Sequence, residues 1–168
     1  MIHVCSLSRL HRTVKDTGAQ HVVTLLKDVD LVRRPDTIVP ANHLVLGMDD
    51  ITEPLNGYIA PADDHVTKLI AFVRLWNRAK PLVIHCYAGI SRSTAGAFVA
   101  ACALNPQRGE LSIAQALRRA SATAAPNLRI VSLADRVLGR EGRMTSAIEM
   151  IGQAQPTTEA EPFRLDLE

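Results

Sequence analysis

The chain has 168 residues, of which 47% are hydrophobic and 21% charged. This balance, with a mean hydropathy of +0.07, excludes a disordered chain and a low-complexity fibre. The longest apolar run, residues 95–104, is about half of the roughly 20 residues that span a bilayer. We therefore expect a single domain over residues 1–152, no membrane partner and, since the first residues do not resemble a signal peptide, a cytoplasmic location.

The charge is distributed unevenly along the chain. The formal net charge is only +2, and no cluster of lysines and arginines interleaved with aromatic residues occurs, so we expect no nucleic-acid partner. Residues 153–168 contain four acidic residues against Arg164, which leaves a net charge of +5 for residues 1–152. We predict that residues 153–168 form a flexible acidic tail, and that the cationic body suits an anionic substrate.

The N-terminal half alternates short apolar runs with amphipathic segments. The runs at residues 2–5, 21–26 and 43–46 have strand length, and residues 7–17 between the first two have helical spacing. This alternation is typical of βαβ units. It predicts an α/β fold with a central, mostly parallel sheet flanked by helices.

The middle of the chain contains the clearest strand and helix signals. Residues 61–78 carry apolar side chains at helical spacing, and residues 81–84 form a compact apolar run typical of a buried central strand. Residues 93–104 are small and apolar on all sides, as expected for a helix in the core. Cys86 therefore stands at the carboxyl end of a central strand, the edge at which open α/β sheets bind ligands.

Three further helices are predicted after the core helix. Residues 113–120 resume a helical pattern, with Ser112 as a candidate N-cap. A second helix covers residues 128–138, and Asn127 before it is interpreted either as its N-cap or as a brace for the loop after Cys86. The last, residues 144–151, ends at a glycine.

The segment from Cys86 to Arg92 has the composition of an anion-binding loop. Five residues separate the cysteine from the arginine, and a loop of that length between a strand and a helix can turn its amides inward. Gly89 permits a positive φ at the tightest bend, and Arg92 can hold two phosphate oxygens with its planar fork. The expected substrate-binding residues are Tyr87, Ala88, Gly89, Ile90, Ser91 and Arg92.

The amides of this loop and the charge of Arg92 favour the thiolate form of Cys86, so we predict that Cys86 is a nucleophile. Ser93 can donate a hydrogen bond to the sulfur and ease its departure. His85 falls on the other side of the pleated strand and is expected to support the loop rather than to touch the substrate.

The stretch His85-Cys86-x-Ala88-Gly89-x-Ser91-Arg92-Ser93 resembles the signature of the cysteine-dependent protein tyrosine phosphatases, in particular the dual-specificity branch and compact bacterial tyrosine-phosphatase-like proteins. The resemblance implies hydrolysis of phosphomonoesters through a phosphocysteine intermediate, without metal or cofactor. The implied partner is a phosphorylated protein or a small phosphomonoester. Because the loop interior contains no lysine, an inositol lipid is disfavoured.

The family resemblance also implies an aspartic acid that protonates the leaving oxygen, some thirty-odd residues before the cysteine. Asp49 and Asp50 both lie at that distance from Cys86. We prefer Asp50, which is followed by an isoleucine, over Asp49. Both could instead be the solvated carboxylates of a turn.

Two alternatives to a phosphatase remain open. One is another cysteine enzyme, such as a rhodanese-like sulfurtransferase or an arsenate reductase, and the other is a catalytically idle module that binds a phosphorylated partner. The remaining histidines lack the spacing of metal ligands, so we expect no metal site. Cys102 fits core packing, and Cys5 is a weak candidate for a disulfide with oxidised Cys86.

Overall fold

A computed structural model describes residues 1–167 of the chain. The elements follow in the order β1 (Ile2–Ser6), α1 (Leu10–Thr17), β2 (His21–Leu25), β3 (His43–Leu46), α2 (Asp63–Leu75), β4 (Leu82–Cys86), α3 (Arg92–Leu104), α4 (Glu110–Ala120), α5 (Leu128–Val137), α6 (Arg143–Met150) and β5 (Phe163–Leu165). Two short 3₁₀ turns, Val29–Leu31 and Pro40–Asn42, precede β3.

The five strands form one sheet in the order β3-β2-β4-β1-β5. Strand β4 lies at the centre and pairs in parallel with β1 and β2, and β2 pairs in parallel with β3. Only β5, which pairs with β1, is antiparallel. The predicted α/β fold with a mostly parallel central sheet flanked by helices is confirmed.

The two faces of the sheet are covered unequally. Alternate residues of β4 point to opposite faces, so that Leu82 and Ile84 enter the main core while Val83 enters a smaller cluster beside α1. The other five helices supply the main core. Helix α3 approaches the sheet closely, because a Cβ added to Gly96 would lie 2.7 Å from the side chain of Leu25. Small residues in α3 therefore allow the helix after Cys86 to sit directly on the sheet.

The largest differences from the predicted helix boundaries are at α1, α2 and α4. Helix α1 begins at Leu10 rather than at residue 7. Helix α2 is shorter than residues 61–78 and covers Asp63–Leu75. Ser112 is not an N-cap, because α4 begins at Glu110. The reason is a buried ion pair, in which Glu110 Oε1 lies 2.9 Å from Arg140 Nη1 and fixes the first turn of α4.

The prediction of a flexible tail is wrong for residues 153–167. Phe163–Leu165 extend the sheet as β5, and Leu165 and Leu167 are buried in the main core. The amide of Gln155 donates to the carbonyl of Ala122. Composition misled the prediction, because the acidic side chains point outward while alternate apolar residues pack inward. We call residues 153–167 the C-terminal segment.

Candidate active site

The loop of residues 87–91 joins the last residue of β4, Cys86, to the first residue of α3, Arg92. Its bend lies at Gly89, where φ is +74°. A Cβ at Gly89 would lie only 2.9 Å from the backbone of Cys5 and Ser6. Both the dihedral angle and the lack of space therefore require glycine at this position. We call residues 87–91 the phosphate loop.

Neighbouring segments hold the carbonyl groups of the phosphate loop. A backbone amide donates to each of four loop carbonyls: Leu7 to Tyr87 (3.1 Å), Ala160 to Ala88 (2.9 Å), Ala125 to Ile90 (2.9 Å) and Asn127 to Ser91 (3.2 Å). Carbonyls that are bonded to the surrounding chain turn the amides of the loop toward its interior. The result is the concave arrangement of N–H groups that binds anions.

The sulfur of Cys86 lies at the base of this loop. It is within 3.1 Å of the hydroxyl oxygen of Ser93, in the first turn of α3, and both residues are buried. The sequence places these residues together because they stand on either side of a loop that reverses the chain direction. Their contact is the one expected for a hydroxyl that stabilises a negative sulfur.

Arg92 spans the space between the phosphate loop and the residues after β3. Its Nη1 donates to the carbonyl of Met48 at 2.8 Å, and only 8% of the residue is exposed. The buried Nε has no hydrogen-bond partner among the described residues. An unsatisfied buried donor on a guanidinium is costly, and an anion in the phosphate loop would satisfy it.

Asp50 and Asp49 make different contacts. Asp50 Oδ1 accepts hydrogen bonds from Ser91 Oγ and Asn127 Nδ2, both at 2.8 Å, and the residue is exposed. The Asp49 carboxylate instead accepts from the amide of Ile59 at 2.7 Å and pairs with Lys27 at 3.6 Å. Asp50 therefore lies at the mouth of the phosphate loop, whereas Asp49 stabilises the loop after β3 through Ile59 and Lys27.

Asn127 performs both of the functions considered for it. Its Oδ1 accepts from the amide of Ile130 and caps α5, while its Nδ2 donates to Asp50. Its amide also holds Ser91. The side chain and the backbone amide of one buried residue therefore link α5, the phosphate loop and the aspartate.

His85 lies on the face of β4 opposite to that of Cys86, and its Nε2 contacts β2 rather than the phosphate loop. Its Nε2 is 2.7 Å from Thr24 Oγ1, which is in turn 2.8 Å from His43 Nε2. Burial lowers the pKa of His85 to about 4, so the imidazole is neutral at neutral pH. Of the loop residues, Tyr87 has an exposed side chain, Gly89 is buried, and Ala88, Ile90 and Ser91 are half-buried.

The other two cysteines are buried in different surroundings. Cys5 pairs in register with His85 rather than Cys86, and belongs to the cluster on the α1 face. Burial raises the pKa of Cys5 and of Cys102 to about 12. Both thiols are therefore protonated, and a thiol in this state is a poor partner for disulfide exchange.

Sequence patterns did not reveal several residues that border the site. Arg129 donates to the carbonyl of Pro61 at 2.7 Å and so ties the loop after β3 to α5. Glu159 accepts hydrogen bonds from Ser6 Oγ (2.5 Å) and Ser8 Oγ beside the phosphate loop. These contacts join residues far apart in the chain, and no local pattern signals them.

Within residues 1–167, no group of three or more His, Cys, Asp or Glu side chains is arranged to hold a metal ion. None of the helices in the same range combines the length and apolar content needed to cross a bilayer.

Comparison with known proteins gives both a sequence match and structural matches. Residues 56–123 match the family model of the protein-tyrosine phosphatases. The matched segment includes Cys86, the phosphate loop and Arg92. No curated protein matches it in sequence.

Several solved structures share this fold at low sequence identity. DUSP15 superposes with a TM-score of 0.65 at 15% identity over 89% of this chain and 90% of its own. For the PTP-2 phosphatase of Cydia pomonella the TM-score is 0.63 at 22% identity, and the match covers 80% of this chain and 84% of that phosphatase. A human tyrosine phosphatase-like serine/threonine/tyrosine-interacting protein superposes with a TM-score of 0.64 at 14% identity. This match covers 83% of this chain and 92% of that protein. The sequence match supports the predicted enzyme class, a cysteine-dependent phosphatase, and the structural matches show that the chain shares the fold of these proteins.

Proposed function

We propose that the chain hydrolyses phosphotyrosine in proteins, through a phosphocysteine intermediate formed on Cys86. The observation that carries the proposal is the phosphate loop itself. Four of its five carbonyls are bonded to the surrounding chain, while the sulfur of Cys86 and the unpaired Nε of Arg92 lie at its two ends. Such a loop binds a phosphoryl group with a nucleophile directly beneath it.

In the first step, the thiolate of Cys86 attacks phosphorus and the bond to the ester oxygen breaks. Asp50, held at the mouth by Ser91 and Asn127, gives its proton to the departing oxygen. The loop amides and Arg92 stabilise the charge on the three equatorial oxygens. The products of this step are the free alcohol and phosphocysteine.

In the second step, water attacks the phosphorus of phosphocysteine and Asp50 takes a proton from that water. The bond between sulfur and phosphorus breaks, and the electron pair returns to Cys86. Ser93, 3.1 Å from the sulfur, stabilises the thiolate as it leaves. Inorganic phosphate is released, and Asp50 is protonated for the next cycle.

The intermediate provides the direct test. The protein is mixed with a phosphotyrosyl peptide, quenched in acid, digested and analysed by mass spectrometry. We expect phosphate on the peptide that contains Cys86, with more of it in a Ser93→Ala variant because the second step is slower. Hydrolysis without any phosphate on Cys86 would contradict the mechanism.

The two alternatives make different predictions in the same preparation. A sulfurtransferase would transfer sulfur from thiosulfate to cyanide, and we expect no such activity. A module that only binds phosphorylated partners would retain the peptide without turnover, whereas we expect release of inorganic phosphate. The cytoplasmic location stays a prediction from the sequence.

A further inference from the structure

A small cavity adjoins the phosphate loop on the side of the C-terminal segment. Its volume is about 340 Å³, and its lining consists of Leu7, Ser8, Tyr87, Ala88, Thr158 and Glu159. Two of these residues belong to the phosphate loop, so the cavity lies next to the site at which a phosphorylated side chain would enter.

The C-terminal segment fixes the carboxylate in this cavity. The Ala160 amide donates to the Ala88 carbonyl, and Ser6 and Ser8 donate to Glu159 Oε1. These hydrogen bonds, that of Ser6 first, lower the pKa of Glu159, which is therefore ionised at neutral pH. Both serines bond to Oε1, so the carboxylate retains a second oxygen for a ligand.

The charged side chains that line the cavities at the two ends of the phosphate loop are acidic. A second cavity, of about 640 Å³, lies on the opposite side of the loop and is lined by Asp50 and Glu53 among other residues. Among the described residues that line these two cavities, none is a lysine or arginine. Arg9, whose charge reaches Glu159, is paired with Glu161 at 3.4 Å.

We propose that this cavity is a subsite for a cationic side chain, so that the preferred substrates are phosphotyrosyl peptides with a lysine or arginine within two residues of the phosphotyrosine. Glu159 supplies the opposite charge, and the exposed ring of Tyr87 supplies a face on which a cation can lie. An acidic neighbour would instead meet carboxylates on both sides of the mouth. The inference rests on the proposed function, because it assumes that the phosphate loop receives phosphotyrosine.

The test uses phosphotyrosyl peptides that differ at one position. Lysine, norleucine or glutamate is placed at each of the two positions on either side of the phosphotyrosine, and kcat/KM is measured with the full chain at low salt. We expect lysine to exceed norleucine by roughly 2- to 5-fold at one position or more, the size typical of an exposed ion pair. The kcat/KM of the glutamate peptides should be lower than that of the norleucine peptides. The preference for lysine should decrease in about 0.5 M salt.

Two variants assign the preference to Glu159. Glu159→Gln keeps a hydrogen-bond acceptor for the serines but removes the charge, so the ratio of lysine to norleucine should fall to about one. Glu159→Lys should reverse the order of the lysine and glutamate peptides. The matched control is Glu149→Gln, which removes an exposed carboxylate from α6 and should leave the ratio as in the parent.

Equal rates for lysine and norleucine at all four positions would overturn the proposal, as would a lysine preference that Glu159→Gln retains. Failure of the proposed function looks different, because no peptide would then be hydrolysed. In that case the dissociation constants of the same peptides, measured by fluorescence polarisation on the Cys86→Ser chain, still decide whether the cation is selected.

Discussion

The floor and the rim of the candidate active site differ in how tightly the fold holds them. Cys86, Arg92 and Ser93 form the floor; they are almost fully buried and belong to a continuous strand, loop and helix. Asp50, Tyr87 and Glu159 form the rim, are exposed, and come from three separate parts of the chain. Under the proposed function, the floor contacts the phosphoryl group, which all substrates share, whereas the rim contacts the parts that distinguish one substrate from another. Changes to the floor should therefore affect every substrate alike, and changes to the rim should depend on the substrate.

The largest expected effect is at the floor. Cys86→Ser should reduce turnover by at least about 10⁴-fold for every phosphomonoester, because the nucleophile is lost, while phosphotyrosyl peptides still bind. Steady-state assays and binding measurements check this. Cys102→Ala, which changes a buried thiol in α3, is the control and should retain activity. Turnover by Cys86→Ser at the parent rate would remove Cys86 from the mechanism.

Substitution of Asp50 tests whether a change in the rim depends on the substrate. Asp50→Ala should slow phosphotyrosine hydrolysis by roughly 10²–10⁴-fold, the usual contribution of a general acid. An aryl phosphate with a highly acidic phenol should be affected much less, because that leaving group departs without a proton. The measurement is kcat for a series of aryl phosphates with leaving groups of graded acidity.

Asp49→Ala is the matched comparison for Asp50. Because Asp49 holds Ile59 and Lys27, its loss should loosen the loop and slow all aryl phosphates by a similar factor. If the dependence on the leaving group appears in Asp49→Ala and not in Asp50→Ala, the two roles are exchanged.

Arg92→Lys tests whether a substitution in the floor affects all substrates alike. Lysine keeps the charge but cannot bind two oxygens with a planar fork. We expect a loss of kcat on the order of 10²-fold or more, equal for good and poor leaving groups. Arg129→Lys, outside the phosphate loop, should change kcat far less. A nearly silent Arg92→Lys would place Arg92 outside the reaction.

His85 lies beneath the floor and should affect stability rather than turnover. Its pKa is about 4 in the folded chain against 6.5 as the ordinary value, so below pH 6.5 the unfolded state binds more protons. The free energy of unfolding therefore has its full value above pH 6.5. It decreases by up to about 3 kcal/mol as the pH falls toward 4. Urea unfolding at several pH values should show this slope, and His85→Gln should flatten it. An identical slope in His85→Gln would assign the acid sensitivity to other groups.

Sequence patterns predicted the floor because its determinants are local. The apolar run before Cys86, the glycine at the bend and the small residues of α3 all act on neighbours along the chain. The rim was predicted only in part. Asp50 followed from the family resemblance, while Glu159 was assigned to a flexible tail. Strand β5 has only three residues, and it forms by pairing with β1 at the other end of the chain, which no local preference encodes.

The hydrogen bond between Ala160 and Ala88 connects the candidate active site to a segment that is translated after the rest of the sheet and the helices. While the ribosome is still synthesising this protein, β1, β4 and α3 can already associate, but residues 153–167 have not yet emerged to pair with β1. A nascent chain therefore carries a phosphate loop with one of its four supports missing. Because Ala160 follows β1, β4 and α3 in the chain, its hydrogen bond is the last of the four supports that can form during synthesis.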